Sequence, residues 1–119
     1  MMAYKSMIAK ALTHNLIEQT SVPVYGSFPF SVAGELVQLD GLWIANLAGV
    51  TFFSETEAYF VNKMFSYHDI AHCSRHISLL AMSPKIKFTL LDDTTYTMLV
   101  EQEDAKRFVQ TVRERQHHA

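Results

Sequence analysis

The chain is poor in structure-breaking and cross-linking residues: one cysteine, three prolines and four glycines in 119 residues, with only 18% of side chains charged. A lone Cys73 finds no partner within the chain, so no disulfide framework holds the fold. The scarcity of glycine and proline excludes collagen-like and low-complexity architectures. No apolar run reaches the ~18–20 residues that a bilayer crossing needs, because residues 31–50 are interrupted by Glu35, Gln38, Asp40 and Asn46. Nor does the start combine a basic region, an unbroken apolar run and a small-residue cleavage site. Ten Lys and Arg against twelve Asp and Glu leave a net charge of −2, which offers a phosphate backbone little long-range attraction. These absences argue against an integral membrane helix and against nucleic acid as a partner, and a cytoplasmic location is expected.

What is present is the material of one core. Hydrophobic residues make up 49% of the chain, eight Phe and five Tyr among them, and neither a linker-like segment nor an internal repeat divides it. A single domain over residues 1–119 is expected. Ile8, Leu12 and Leu16, widened by Met7 and Ala11, predict an N-terminal helix over residues 4–18. From residue 20 the period changes to two. Val22, Val24, Gly26, Phe28 and Phe30 share one parity, while Pro23 and Pro29 require that strand to be an edge or to bulge. Residues 36–54 read as two strands separated near Ala45 to Gly49, and FVNKMFSYHDI as a further strand with Val61 and Phe65 on one side and Lys63 interrupting that side. Ile77, Leu79, Leu80, Ala81 and Met82 follow, stopped by Ser83-Pro84. Ile86, Phe88 and Leu90 then alternate with polar residues, turn at Asp92-Asp93 and return through Tyr96, Met98 and Val100. A closing helix over residues 101–115 buries Ala105, Phe108, Val109 and Val112. Glu101, Glu103 and Asp104 stand near its start and Arg113 and Arg115 near its end, as the helix dipole favours.

The segments GLWIANLAGVTFF, FSYHDI and KIKFTLLDDTTYTMLVEQEDAKRFVQTVRER, in that order, resemble the bacterial pleckstrin-homology-like domains, particularly the YokE-like group. The likeness covers roughly residues 20–115, with the β core over 20–100. It implies a mainly β fold: a strongly bent, seven-stranded antiparallel sheet or partly open barrel capped by the C-terminal helix. It also implies a non-enzymatic module that binds protein, peptide or lipid. Residues 12–62 contain no Lys or Arg, and the Asn46-Leu47-Ala48-Gly49 turn lacks the basic pair of many relatives. A phosphoinositide site of the eukaryotic kind needs clustered cations joining the first strands, so protein or peptide is the expected partner ahead of such a lipid.

Several constellations invite chemistry. His68, Asp69, His72, Cys73 and His76 fall within YHDIAHCSRH. Along a strand, residues four apart sit ~13 Å from one another, too far to share one metal ion. Cys73 beside His72 suggests a thiolate pair, yet strand neighbours face opposite ways and no third group orients them. Asp92 and Asp93 are explained by turn formation, and Ser27, Ser54 and Ser66 lack the glycine-flanked elbow of a hydrolase. No catalytic residue, cofactor or metal is therefore expected. Trp43 is expected on a barrel wall or at a subunit contact. Tyr59 and Phe60, in an otherwise polar loop, are the candidate interaction surface for a partner or a membrane interface. The alternative is a small self-associating structural or regulatory subunit, a homo-oligomer joined through the first helix or an open sheet edge. A metal-dependent enzyme built on the histidine segment is a distant third.

Overall fold

In the computed structural model, which describes residues 2–76, 85–100 and 102–117, the alternating segments become seven strands between two helices. Helix α1 (Met2–Thr13) precedes β1 (Val22–Val32), β2 (Glu35–Ala45), β3 (Gly49–Glu55) and β4 (Phe60–Ser66), an antiparallel meander. A 3-10 turn at Tyr67–Asp69 leads to a second antiparallel sheet of β5 (Ile70–His76), β6 (Lys85–Leu90) and β7 (Thr95–Leu99), after which comes helix α2 (Gln102–His117). The two sheets meet where β1 runs beside β7, joined by a bridge between Gly26 and Val100.

The main core collects the inward residues of both sheets and the apolar face of α2. Ala105, Phe108, Val109 and Val112 are all buried there, as their spacing predicts. At its centre Phe28, Trp43, Phe52, Phe65, Phe88 and Tyr96 pack with ring centroids 4.7–6.0 Å apart, within the range that aromatic pairs favour. A second cluster lies on the outer face of the first sheet, where Met7 and Ala11 of α1 cover Leu42, Ile44 and Phe53. Trp43 is thus core, and both of its neighbours are buried as well, because the sheet is covered on both sides. Intramolecular docking is the arrangement of α1.

Two elements differ from expectation. Helix α1 stops at Thr13 rather than at residue 18. Asn15 adopts a left-handed φ of 59°, the Leu16 amide donates to the Ala11 carbonyl (3.0 Å) and the Asn15 amide to that of Leu12 (3.1 Å), a Schellman-type stop with Asn in the position where glycine is usual. The strand expected through Ile70 ends at Ser66. Tyr67 turns inward instead, donating its hydroxyl to the Asn46 carbonyl at 2.5 Å, and the chain crosses to the second sheet. Strand β1 is the edge of its sheet, as Pro23 and Pro29 require, and pairs with β2 in unbroken register; the irregularity falls in β5, between Ile70 and His72. Residues 77–84, with the expected apolar run and its Ser83-Pro84 stop, and Glu101 lie outside the described residues.

Candidate functional site

Strand β2 is longer than the strand it shares with β3. It pairs with β1 from Glu35 to Ala45, but with β3 only from Leu42 to Ala45. Toward the β1–β2 turn, β2 therefore has β1 on one side and, among the described residues, no strand on the other. The Ser54 hydroxyl marks the boundary by donating to the Asp40 carbonyl at 2.8 Å. This open edge walls a groove of about 510 Å³ between α1 and the β3–β4 turn, with Met7, Tyr25, Val37, Leu39 and Tyr59 as its apolar lining and Lys10, Asp40 and Glu55 among its polar groups. Lys10 is held in place by its bond to the Glu55 carbonyl (3.0 Å). Burial, and then the Asp40 carboxylate, push the Tyr25 phenol above its ordinary value, so it stays protonated.

Tyr59 and Phe60, adjacent in sequence, do not form one patch. Thr56 Oγ1 accepts from the amides of Ala58 (3.2 Å) and Tyr59 (3.0 Å), a tight turn that folds Tyr59 back against the main core and into the groove. Phe60 is the first residue of β4. It lies on the outer face of the sheet, 57% exposed, with its ring against His14 at 5.2 Å and Phe53 at 6.0 Å. Met64 shares that face of β4 at 59% exposure, and Leu12 of α1, two residues from His14, is 54% exposed. His14 also reaches the Glu55 carboxylate at 3.1 Å, an exposed contact worth little to stability.

The histidine segment is dispersed. His68 and Asp69 sit in the 3-10 turn, whereas His72, Cys73 and His76 belong to β5. His72 and His76 are exposed, and His76 Nε2 pairs with the Ser74 hydroxyl at 3.0 Å. Among the described residues no three His, Cys, Asp or Glu side chains come together to hold a metal. Cys73 is buried and its thiol is pushed up to about 12 by that burial, against the opposing pull of Arg113. It is a core thiol, not a thiolate. Asp92 and Asp93 form the β6–β7 turn, with Asp92 Oδ1 accepting from the Thr94 amide at 2.9 Å and Asp93 at φ 69°.

Between β5 and α2 runs a cleft of about 660 Å³, lined by Tyr67, Ile70, Cys73, Ser74, Arg113 and Gln116 among others. Side chains of α2 reach across it. Arg113 Nε donates to the Cys73 carbonyl (3.0 Å) and Gln116 Nε2 to that of Ile70 (2.8 Å). Sequence reasoning placed Arg113 and Arg115 only by the helix dipole. Their partners lie 40 or more residues away, and no local pattern carries that information.

No family model matches the chain, and no curated protein matches it in sequence. Among solved structures, the pleckstrin homology domain of USP37 is similar, with a TM-score of 0.59 over 82% of this chain and 99% of that domain, at 14% identity. At that identity the likeness shows the fold alone: a PH-like arrangement of two antiparallel sheets and a C-terminal helix. Among the described residues no helix is long and apolar enough to cross a membrane.

Proposed function

We propose that this chain is a non-catalytic PH-like binding module of the bacterial, YokE-like kind, acting in the cytoplasm, which receives an extended segment of a protein or peptide. In this reading the two sheets are the walls of a bent, partly open barrel, and the segment joins the open edge of β2 in the groove beside Tyr59. The observation that carries it is the edge of β2 that, toward its turn, has no strand partner among the described residues, set against an apolar groove. Edge amides and carbonyls supply main-chain bonds to an added strand, and alternate side chains of that strand enter the groove. A fold that is commonly a recognition scaffold, with its thiol buried and its histidines dispersed, supports binding over catalysis.

Self-association is the second reading, favoured by the exposure of Leu12, Phe60 and Met64 on the covered sheet's outer side. One experiment separates the two. A random peptide library is selected on the immobilised protein, and the selected peptides are titrated into labelled protein by NMR. Extended peptides that shift the amides of residues 36–40, and that bind at least about tenfold more weakly to Tyr59→Ala, are expected. Shifts confined to β4 and α1, together with a concentration-dependent mass abolished by Phe60→Glu, would replace this reading with self-association.

A further inference from the structure

Positive charge is unevenly placed in this chain. Residues 12–62 carry none, and eight of the ten Lys and Arg fall from Lys63 onward. Three of them converge. Lys106, Val109, Gln110 and Arg113 form one stripe along α2, at i, i+3, i+4 and i+7, and with Arg75 of β5 they line a cleft of about 250 Å³. Arg75 has the same strand parity as buried Cys73, but it lies further along β5 and is exposed. The Arg75 and Lys106 side chains make no hydrogen bond or ion pair with the described residues, and Arg113 spends only its Nε, on the Cys73 carbonyl. Its guanidinium is therefore anchored with the two terminal nitrogens unbonded among the described residues, a donor fork set before any ligand arrives.

We infer that this cleft is an anion-binding site for a phosphorylated peptide, with the phosphate between Arg75, Lys106 and Arg113. Three cations exceed what one carboxylate balances. A phosphate ester, at ~−1.5 to −2 charge with three acceptor oxygens, matches two guanidinium forks and an ammonium. The surroundings select a peptide over a bilayer. Arg113 also lines the 660 Å³ cleft that continues along β5, which is room for the chain bearing the phosphate. Among the described residues, neither β5 nor α2 exposes a large apolar side chain that would enter a membrane. The site lies apart from the β2 groove and does not depend on it.

The test uses the full chain and an immobilised degenerate peptide library bearing phosphoserine, phosphothreonine or phosphotyrosine, beside its dephosphorylated counterpart and anionic phospholipid vesicles. Wild-type protein should retain the phosphorylated library selectively and release it as salt rises. Arg75→Gln and Lys106→Gln should each weaken retention by about tenfold or more with an unchanged thermal midpoint, since neither side chain has a partner among the described residues to lose. Tyr59→Ala should leave it intact, which separates this site from the groove. Equal retention of both libraries, insensitivity to the two substitutions, or binding to vesicles alone would overturn the inference.

Discussion

Cys73 shows how burial alone fixes the chemistry of a side chain. Its thiol is pushed up from 9.0 to about 12, first by burial, so the folded protein holds that proton more tightly than the unfolded chain does. A raised folded value contributes stability that is complete below pH 9 and lost progressively as pH climbs toward 12, at up to about 1.4 kcal/mol per pH unit for one proton. Tyr25, Tyr67 and Tyr96 are raised by burial too and lose stability in the same alkaline direction. They remain in both proteins when wild type is compared with Cys73→Ala; Cys73 also contributes to raising Tyr67, so the substitution eases that phenol's alkaline loss in the same direction as it removes the thiol's own. We expect Cys73→Ala to be slightly less stable at neutral pH, as a small cavity costs about 1 kcal/mol, and to show the shallower alkaline decline in urea-unfolding stability. Parallel declines would show that Cys73 keeps an ordinary affinity for its proton. Strand parity argues against a thiolate pair of Cys73 with His72, but it does not say which of the two faces the core. That Leu42, Trp43 and Ile44 are all buried was not legible either, because alternation describes a sheet with one wet face and says nothing of a helix laid over the other.

Elements were legible where a short-range rule dominates. The apolar stripe of α2 and the β6–β7 hairpin follow from spacing of three to four and of two, and both stand as read. Boundaries set by a single backbone conformation were not legible. Asn15 ends α1 by adopting the left-handed region, and the break at Tyr67 depends on a carbonyl 21 residues away. The open edge of β2, which carries the functional reading, arises from unequal strand lengths, and a one-dimensional pattern does not reveal which strand outlasts its neighbour. The β1–β2 turn illustrates the same conformational control with a measurable consequence. Ala33 and Gly34 both have positive φ, 52° and 83°, the pattern of a two-residue hairpin turn in which Asn-Gly is preferred. An alanine there bears roughly 1 kcal/mol of steric cost. Ala33 is exposed, so Ala33→Asn should raise stability by about 0.5–1 kcal/mol, read as a higher urea midpoint at constant slope. An unchanged or lower midpoint would mean that this turn does not hold the left-handed pair.

The molecule as a whole is tied together by the last turns of α2. Arg115 donates to the Ala45 carbonyl at the end of β2 and to the Thr20 carbonyl before β1, both at 2.8 Å, while Arg113 and Gln116 hold carbonyls of β5. Asn46, next to Ala45, bonds the Leu16 carbonyl through Nδ2 (3.1 Å) and accepts from the Ser21 hydroxyl, and its own carbonyl takes the Tyr67 hydroxyl. One helix end therefore contacts the N-terminal segment, the first sheet and the second sheet at once. Such cross-bracing predicts that α2 does not peel away before the sheets separate, and unfolding should be a single transition. Trp43 is the sole tryptophan and is fully buried in the main core, so its fluorescence reports the core while far-ultraviolet dichroism reports helix. The two urea curves should coincide. In Arg115→Lys the charge stays but an ammonium replaces the planar fork that reaches two carbonyls. The loss should be about 2 kcal/mol, with both curves moving together to lower urea. Loss of the helical signal ahead of the Trp43 signal, in either protein, would make α2 an appendage rather than the brace, and the cleft it forms with β5 would then be too loosely built to hold Arg75, Lys106 and Arg113 around one anion.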